Sequence, residues 1–174
     1  AVDQHKAGTL ATEHLLGLGH HNVWHVSGPQ DWAETVGRTA GWSDALTAAG
    51  IEPPPVLPGD WTPASGYECG RLLANMADVS AVFVASDEMA FGVMQALREN
   101  GLAVPDDVSI VAMDDIPLAP YAPTPLTTVR QAFEEIAERV VARLLELLDG
   151  DSEPAGEPRL IEPQLIVRAS TKRR

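Results

Sequence analysis

Two adjacent carboxylates, Asp114 and Asp115, close the apolar run "VSIVAMDD". Acids in that position could serve as general acid and base, bind a cation, accept hydrogen bonds from a ligand, or start a turn. Glycoside chemistry needs two carboxyls about 5–9 Å apart across the scissile bond. Neighbours on an extended chain point to opposite sides, so this pair does not meet that need alone. A distant partner such as Asp60 or Asp87 stays open. The chain has no D-x-D-x-[TV] nucleophile motif, P-loop, G-x-S-x-G, H-E-x-x-H or complete G-x-G-x-x-G. His20 and His21 sit together in a helix-to-strand turn without a carboxylate or Cys at ligand spacing, so no metal is expected. Cys69 lies among helical residues and reads as a structural thiol.

The elements that must position these groups alternate along the chain. "DQHKAGTLATEHLLGLG" places Leu10, His14, Leu15 and Leu18 at helical spacing and stops at Gly19. "NVWHVSG" reads as a strand. "DWAETVGRTAGWSDALTAAG" reads as a helix with Asp31 as N-cap and Gly50 as stop. An extended piece, "PPVLPGDW", leads to "ASGYECGRLLANM", a helix weakened by its glycines. "SAVFVAS", the helix "DEMAFGVMQALRENG" and the strand "VSIVAM" follow. Beyond a proline-rich loop come a β-prone "LTTVR" and the clearest helix, "AFEEIAERVVARLLELLDG". It carries Phe133, Ile136, Val140, Val141, Leu144 and Leu148 on one stripe and stops at Gly150. "DSEPAGEP" reads as a linker, "RLIEPQLIVRAS" as a last extended segment, and "RASTKRR" as a solvated basic tail. Trp24 and Trp42 belong in the core, and Trp32 packs at a helix start.

Strands that are continuous apolar runs, separated by helices, predict an α/β fold: a three-layer parallel sheet with helices on both faces. In such sheets ligands bind outside the carboxyl ends of the strands. Those ends offer Ser27-Gly28, Asp60-Trp61, Ser86-Asp87 and Asp114-Asp115. Small polar groups, acids and one large aromatic suit a neutral polyhydroxylated ligand, whose hydroxyls pair with carboxylates and whose C–H face packs on an indole. The plainer alternative is that Ser86 or Asp87 caps the next helix and the Asp pair starts a turn before Pro117.

The bulk numbers narrow the class. The 174 residues suffice for one sizeable domain or two small lobes, and 45% are hydrophobic. Mean hydropathy is −0.04. No apolar run approaches the ~20 residues of a membrane span, and the start "AVDQHKAGTL" lacks the pattern of a signal peptide. Twelve basic against twenty-five acidic residues give a net charge of −13, which repels a phosphate backbone. A single cysteine excludes an internal disulfide and is compatible with a reducing cytosol.

Six segments taken in order carry a family likeness: "ATEHLLGLGHHNVWHVSGP", "GRTAGWSDAL", "GDWTPASGYECG", "VFVASDEMAFGVMQALRENGLAVPDDVSIVAMDD", "PLTTVRQ" and "EPQLIVRAST". The chain resembles the effector-binding part of the LacI/GalR family of bacterial transcriptional repressors. Periplasmic sugar-binding proteins share the fold but generally lack the "PLTTVRQ" and "LIVRAST" pieces. The resemblance implies a cytoplasmic regulator with an N-terminal helix-turn-helix domain and a two-lobed, periplasmic-binding-protein-like core. A small sugar between the lobes changes operator affinity. It covers the later half of such a protein, so the DNA-binding domain and most of the first lobe are expected elsewhere. Residues 1–122 would form the second lobe, 123–150 a return segment of the first lobe, and 151–174 a linker, final crossover strand and basic tail.

The same resemblance implies site residues. Arg38 and Asp114 would hold sugar hydroxyls, and Trp61 would pack on the sugar ring, which suggests a pyranose of the β-galactoside type. Ser86 stands where the family often has Asn or Asp, a shorter reach. Gln131 and Phe133 would add a polar and an apolar contact from the other lobe, and Asp115 would turn away and support the turn. A homodimer would form through the second lobe, with Phe91, Pro117 and Tyr121 at its surface. No cofactor, catalytic residue or membrane partner is implied. A transport-type sugar-binding protein and a glycoside hydrolase are the rival readings; the absent acid–base pair weighs against the hydrolase.

Overall fold

The structure, a computed structural model, describes residues 1–148 and 160–174. The helix stop expected at Gly150 and the linker expected over 151–158 lie outside the described residues. In chain order the elements are α1 (Gln4–Gly17), β1 (Trp24–Ser27), α2 (Ala33–Ala48), β2 (Leu57–Pro58), α3 (Pro63–Ala74), β3 (Ala81–Val84), α4 (Asp87–Glu99), β4 (Ser109–Asp114), β5 (Thr127–Arg130), α5 (Phe133–Leu148) and β6 (Gln164–Ile166). A short 3-10 turn, Ala119–Tyr121, interrupts the proline-rich loop. No helix among the described residues is long and apolar enough to cross a membrane.

The six strands form one sheet in the order β2-β1-β3-β4-β5-β6. The first five are parallel, as expected, but β6 runs antiparallel to β5, so the sheet is mixed. The continuous apolar runs arise because both faces are covered. Val82, Val84, Ile110 and Ala112 point into one core with Leu73, Met89, Val93 and Leu97 of α3 and α4. Phe83, Val111 and Met113 point the other way, onto Ala7, Leu15, Trp42 and Leu46 of α1 and α2. Burying each large apolar side chain contributes roughly 1.5–3 kcal/mol.

The glycines read as a weakness of α3 have a packing reason. A Cβ on Gly66 would lie 2.1 Å from the Met89 carbonyl oxygen, and one on Gly92 would lie 1.9 Å from that of Pro63. The two helices therefore touch backbone to backbone, a gain that outweighs the propensity cost of about 1 kcal/mol per glycine. At α2 the N-cap is Trp32, without a side-chain cap, and not Asp31.

Two boundary expectations are corrected. Thr127–Arg130 was assigned above to the other lobe, but β5 pairs with β4 from Val111↔Thr127 to Asp114↔Arg130 and belongs to this sheet. A strand whose first three residues are buried completes a core and cannot be lent elsewhere without exposing it. The basic tail is docked and not simply solvated. Ser170 bonds Thr127 N and Ile110 O, Lys172 pairs with Asp106, and Arg174 N donates to Leu18 O.

Three passages of the chain gather at one end of the sheet. Val2 and Ile161 form an isolated parallel bridge. Gln4 Nε2 donates to Gln131 Oε1 at 2.9 Å, which brings the start of α1 to the residue that follows β5. After Gln131 the chain enters α5, whose Val140, Val141, Leu144, Leu145 and Leu148 are all exposed.

Candidate functional site

The carboxyl ends of β3 and β4, Trp61 after β2 and the N-termini of α2 and α4 enclose a groove of about 240 Å³. Its lining includes Arg38, Trp61, Ser86 and Asp114, four of the six ligand residues named from sequence, together with Trp32, Glu34 and Glu88.

Arg38 comes up from α2 and is buried. Its Nη1 donates to Ala85 O at 2.6 Å and its Nε to Gln4 Oε1 at 2.7 Å. Its Nη2 stands 3.9 Å from Asp114 Oδ1, too far for a hydrogen bond and close enough for attraction. Burial pulls the guanidinium pKa down, opposed by the charges of Asp114 and Glu34; an arginine stays cationic under any such shift. Burial likewise pushes the Asp114 carboxyl up, while Arg38 and a hydrogen bond from Gln131 hold it down. That bond, Gln131 Nε2 to Asp114 Oδ1, is 2.6 Å long. Four side chains thus form a closed circuit: Arg38 to Gln4, Gln4 to Gln131, Gln131 to Asp114, and Asp114 facing Arg38 again. Asp114 Oδ2 has no hydrogen-bond partner among the described residues and is available to a ligand hydroxyl.

The two adjacent acids part company, for a reason the extended-chain argument missed. Both have positive φ, 111° at Asp114 and 56° at Asp115, so the strand ends in a turn that Asp tolerates better than most residues. Asp114 faces the groove. Asp115 is bound by Arg130 and Arg168, each at 2.6 Å, and its side chain is 5% exposed. It ties β4, β5 and the segment after β6 together, the supporting role expected of it.

Trp61, at φ 73°, lays its ring against Gly28, where a Cβ would come within 2.1 Å of the indole. The Arg38 guanidinium carbon lies 5.5 Å from that ring's centroid, within cation–π range. Trp32 meets Trp61 edge to face with centroids 5.8 Å apart. The Trp61 Nε1 is buried without a partner among the described residues. Ser86 follows the plainer reading first: its hydroxyl caps α4 by accepting from Met89 N at 3.2 Å. Gln131 joins the site through Asp114, whereas Phe133 is exposed at the start of α5 and does not line the groove.

Sequence reasoning missed Gln4, Trp32, Glu34 and Glu88. The last three stand in or beside the first helical turn after a strand end, so the rule that selected Ser86 could have found them. Gln4 carried no local signal; only the fold brings it to Arg38. Asp87, the other candidate at that edge, is buried beneath the groove, where it accepts from Thr128 Oγ1 and Ile116 N. His20 is a buried structural residue bonded to Ser80 and the Lys172 carbonyl.

A second, largely apolar groove of about 560 Å³ lies on the far side of α4. Phe91 and Tyr121, two of the expected dimer residues, line it with Met94, Leu102 and Leu118. Pro117 is exposed just outside it.

A family model described as a periplasmic binding protein-like domain matches residues 12–171. The chain is 37% identical over 172 residues to the HTH-type transcriptional regulator AscG of Escherichia coli K12, covering 97% of this chain and 50% of that protein. It is 36% identical over 172 residues to the lactose operon repressor of the same strain, covering 98% and 47%. Among solved structures, the transcriptional regulator CelR in complex with cellobiose superposes with a TM-score of 0.90 at 37% identity, covering 97% of this chain and 52% of that one. The chain spans about half the length of the curated relatives it matches. The chain belongs to the LacI/GalR family, as part of its periplasmic-binding-protein-like effector-binding domain.

Proposed function

We propose that this chain is the larger part of the ligand-sensing core of a sugar-responsive transcriptional regulator and that its ligand is a neutral pyranose. The observation that carries this reading is the circuit of Arg38, Gln4, Gln131 and Asp114 beneath Trp61 and Trp32. It offers fixed donors and acceptors for hydroxyls beside an apolar wall for a sugar face. At about 240 Å³ the groove is one wall of a cleft. A first lobe, encoded outside this chain, supplies the other wall and covers the exposed stripe of α5. Residues 1–131 and the segment from β6 onward form the second lobe, and α5 returns to the first. Phe133, at the head of α5, faces the ligand only when that lobe is in place. The relatives named as HTH-type regulators support a DNA-binding domain upstream and a cytoplasmic, non-enzymatic role. The apolar groove at Phe91, Leu118 and Tyr121, continued by Pro117, is the surface for a second copy.

The mechanism follows from linkage. Gln4 and Gln131 belong both to the ligand circuit and to two of the three chain passages, so a sugar that tightens the circuit favours one lobe arrangement. Operator affinity then shifts by the same coupling energy. Calorimetric titration of the intact protein with mono- and disaccharides, including cellobiose and β-galactosides, tests this together with operator binding at each sugar's saturation. Binding of at least one neutral sugar with a change in operator affinity is expected. Absence of both across the panel overturns the sugar reading.

A further inference from the structure

Two helix N-termini converge on the groove, those of α2 and α4. Such ends attract anions, because free N–H groups and aligned peptide dipoles concentrate positive charge there. A buried arginine between them strengthens the expectation of a phosphate or carboxylate ligand. The side chains oppose it. Glu34 in the first turn of α2 and Glu88 in the first turn of α4 both line the groove and are exposed at its rim. Their fields reach the floor: Glu34 pushes the Arg38 guanidinium pKa up, and Glu88 pushes that of the Asp114 carboxyl up. Asp114 adds a third carboxylate to the lining, against Arg38 as its single cation. Arg38 has already committed Nε to Gln4 and Nη1 to Ala85 O.

We infer that Glu34 and Glu88 are specificity-determining residues that exclude anionic sugars, both phosphate esters and uronates, and reserve the groove for uncharged ones. This rests on the sugar-site reading above and adds the charge class of the ligand. The residues that hold hydroxyls and those that reject charge are distinct: the circuit on the floor does the first, the two rim carboxylates the second. A dianionic phosphate brought within about 5 Å of one rim carboxylate in water loses roughly tenfold in affinity, and dissolved salt screens that penalty.

The test uses the intact protein, the tightest-binding neutral sugar of the panel and its 6-phosphate. Affinities are read by calorimetry and by tryptophan fluorescence at about 20 mM and 0.5 M sodium chloride, well above and well below the groove's width in screening length. The 6-phosphate is expected to bind about a hundredfold more weakly at low salt, with a smaller gap at high salt. In Glu34→Gln/Glu88→Gln the low-salt gap should shrink about tenfold or more, and in Glu88→Lys the phosphate should gain most. Thermal melts of both variants check that the fold is kept. A 6-phosphate that binds as tightly as its parent, or a gap that the double variant leaves whole, overturns the charge selection and leaves the sugar site standing. Failure of every sugar, neutral or phosphorylated, overturns both.

Discussion

Gln131 reaches from the residue after β5 to Asp114 at the end of β4 and closes a 2.6 Å hydrogen bond on Oδ1. The bond crosses the point where the chain leaves the sheet for α5. On its other side Gln131 accepts from Gln4, at the opening of α1. Under the proposed function, a ligand hydroxyl at Asp114 would act on a residue that stands where the chain passes from the sheet to α5. Coupling needs no longer route than two amides.

The adjacent acids should separate cleanly by mutation. Asp114→Ala removes the proposed acceptor of ligand hydroxyls and is expected to weaken sugar binding about a hundredfold, since a hydrogen bond to a charged group contributes roughly 1.5–3 kcal/mol. Its thermal midpoint should fall, though less than that of Asp115→Ala, because Ala is strained at φ 111° and Arg38 loses the carboxylate that faces it. Asp115→Ala leaves Arg130 and Arg168 facing a void and should cost about 2–4 kcal/mol of stability, with a smaller effect on affinity. Paired calorimetry and denaturant melts on the two variants would show it. Equal losses of affinity would refute the division of roles.

Gly28 is the seat of the Trp61 ring. A methyl there would lie 2.1 Å from the indole, so Gly28→Ala must displace the ring from the groove wall. Overpacking of this kind costs about 1–3 kcal/mol. A shift in tryptophan emission and a fall in sugar affinity of about tenfold or more are expected together. Unchanged emission with unchanged affinity would show that Trp61 is not held as described.

Two buried groups set opposing pH dependences. Burial pushes the Asp87 carboxyl up to about 7, despite its hydrogen bonds from Thr128 and Ile116. The folded state therefore holds a proton that the unfolded chain has released, and this contribution is lost as pH rises from about 4 to about 7. Burial pulls His25 down to about 4, against its bond to the Phe83 carbonyl and helped by the charge of Arg38. His25 stacks on Phe83 with centroids 4.7 Å apart. Here the unfolded chain takes up the proton first, so the contribution of His25 is lost as pH falls from about 6.5 to about 4. Each is at most about 3–4 kcal/mol by linkage, and they largely cancel over pH 4–6.5. The intact protein should show a shallow stability profile there. Asp87→Asn should unmask stability that climbs with pH across that window, measured by denaturant titration at fixed salt. A profile as flat as that of the parent would contradict the assignment.

The amino-acid order alone was enough to read the layers. Continuous apolar strands between helices predict a sheet covered on both faces, and polar groups at strand ends predict a carboxyl-edge site. Trp61, Ser86 and Asp114 were legible for that reason, whereas Arg38, inside a helix, was named only through the family resemblance. Burial periodicity and turn chemistry are local properties, written within a few residues of where they act. Other features depended on distant pairs. The antiparallel β6, the place of β5 in this sheet, the docked tail and the glycines that let α3 meet α4 come from contacts between segments far apart in the chain. Gln4 is the sharpest case: 34 positions separate it from Arg38 and 127 from Gln131, and nothing near it marks it as functional. Composition and periodicity describe a residue's neighbours along the chain; the three-dimensional packing alone decides which side chain closes a circuit from across the sheet.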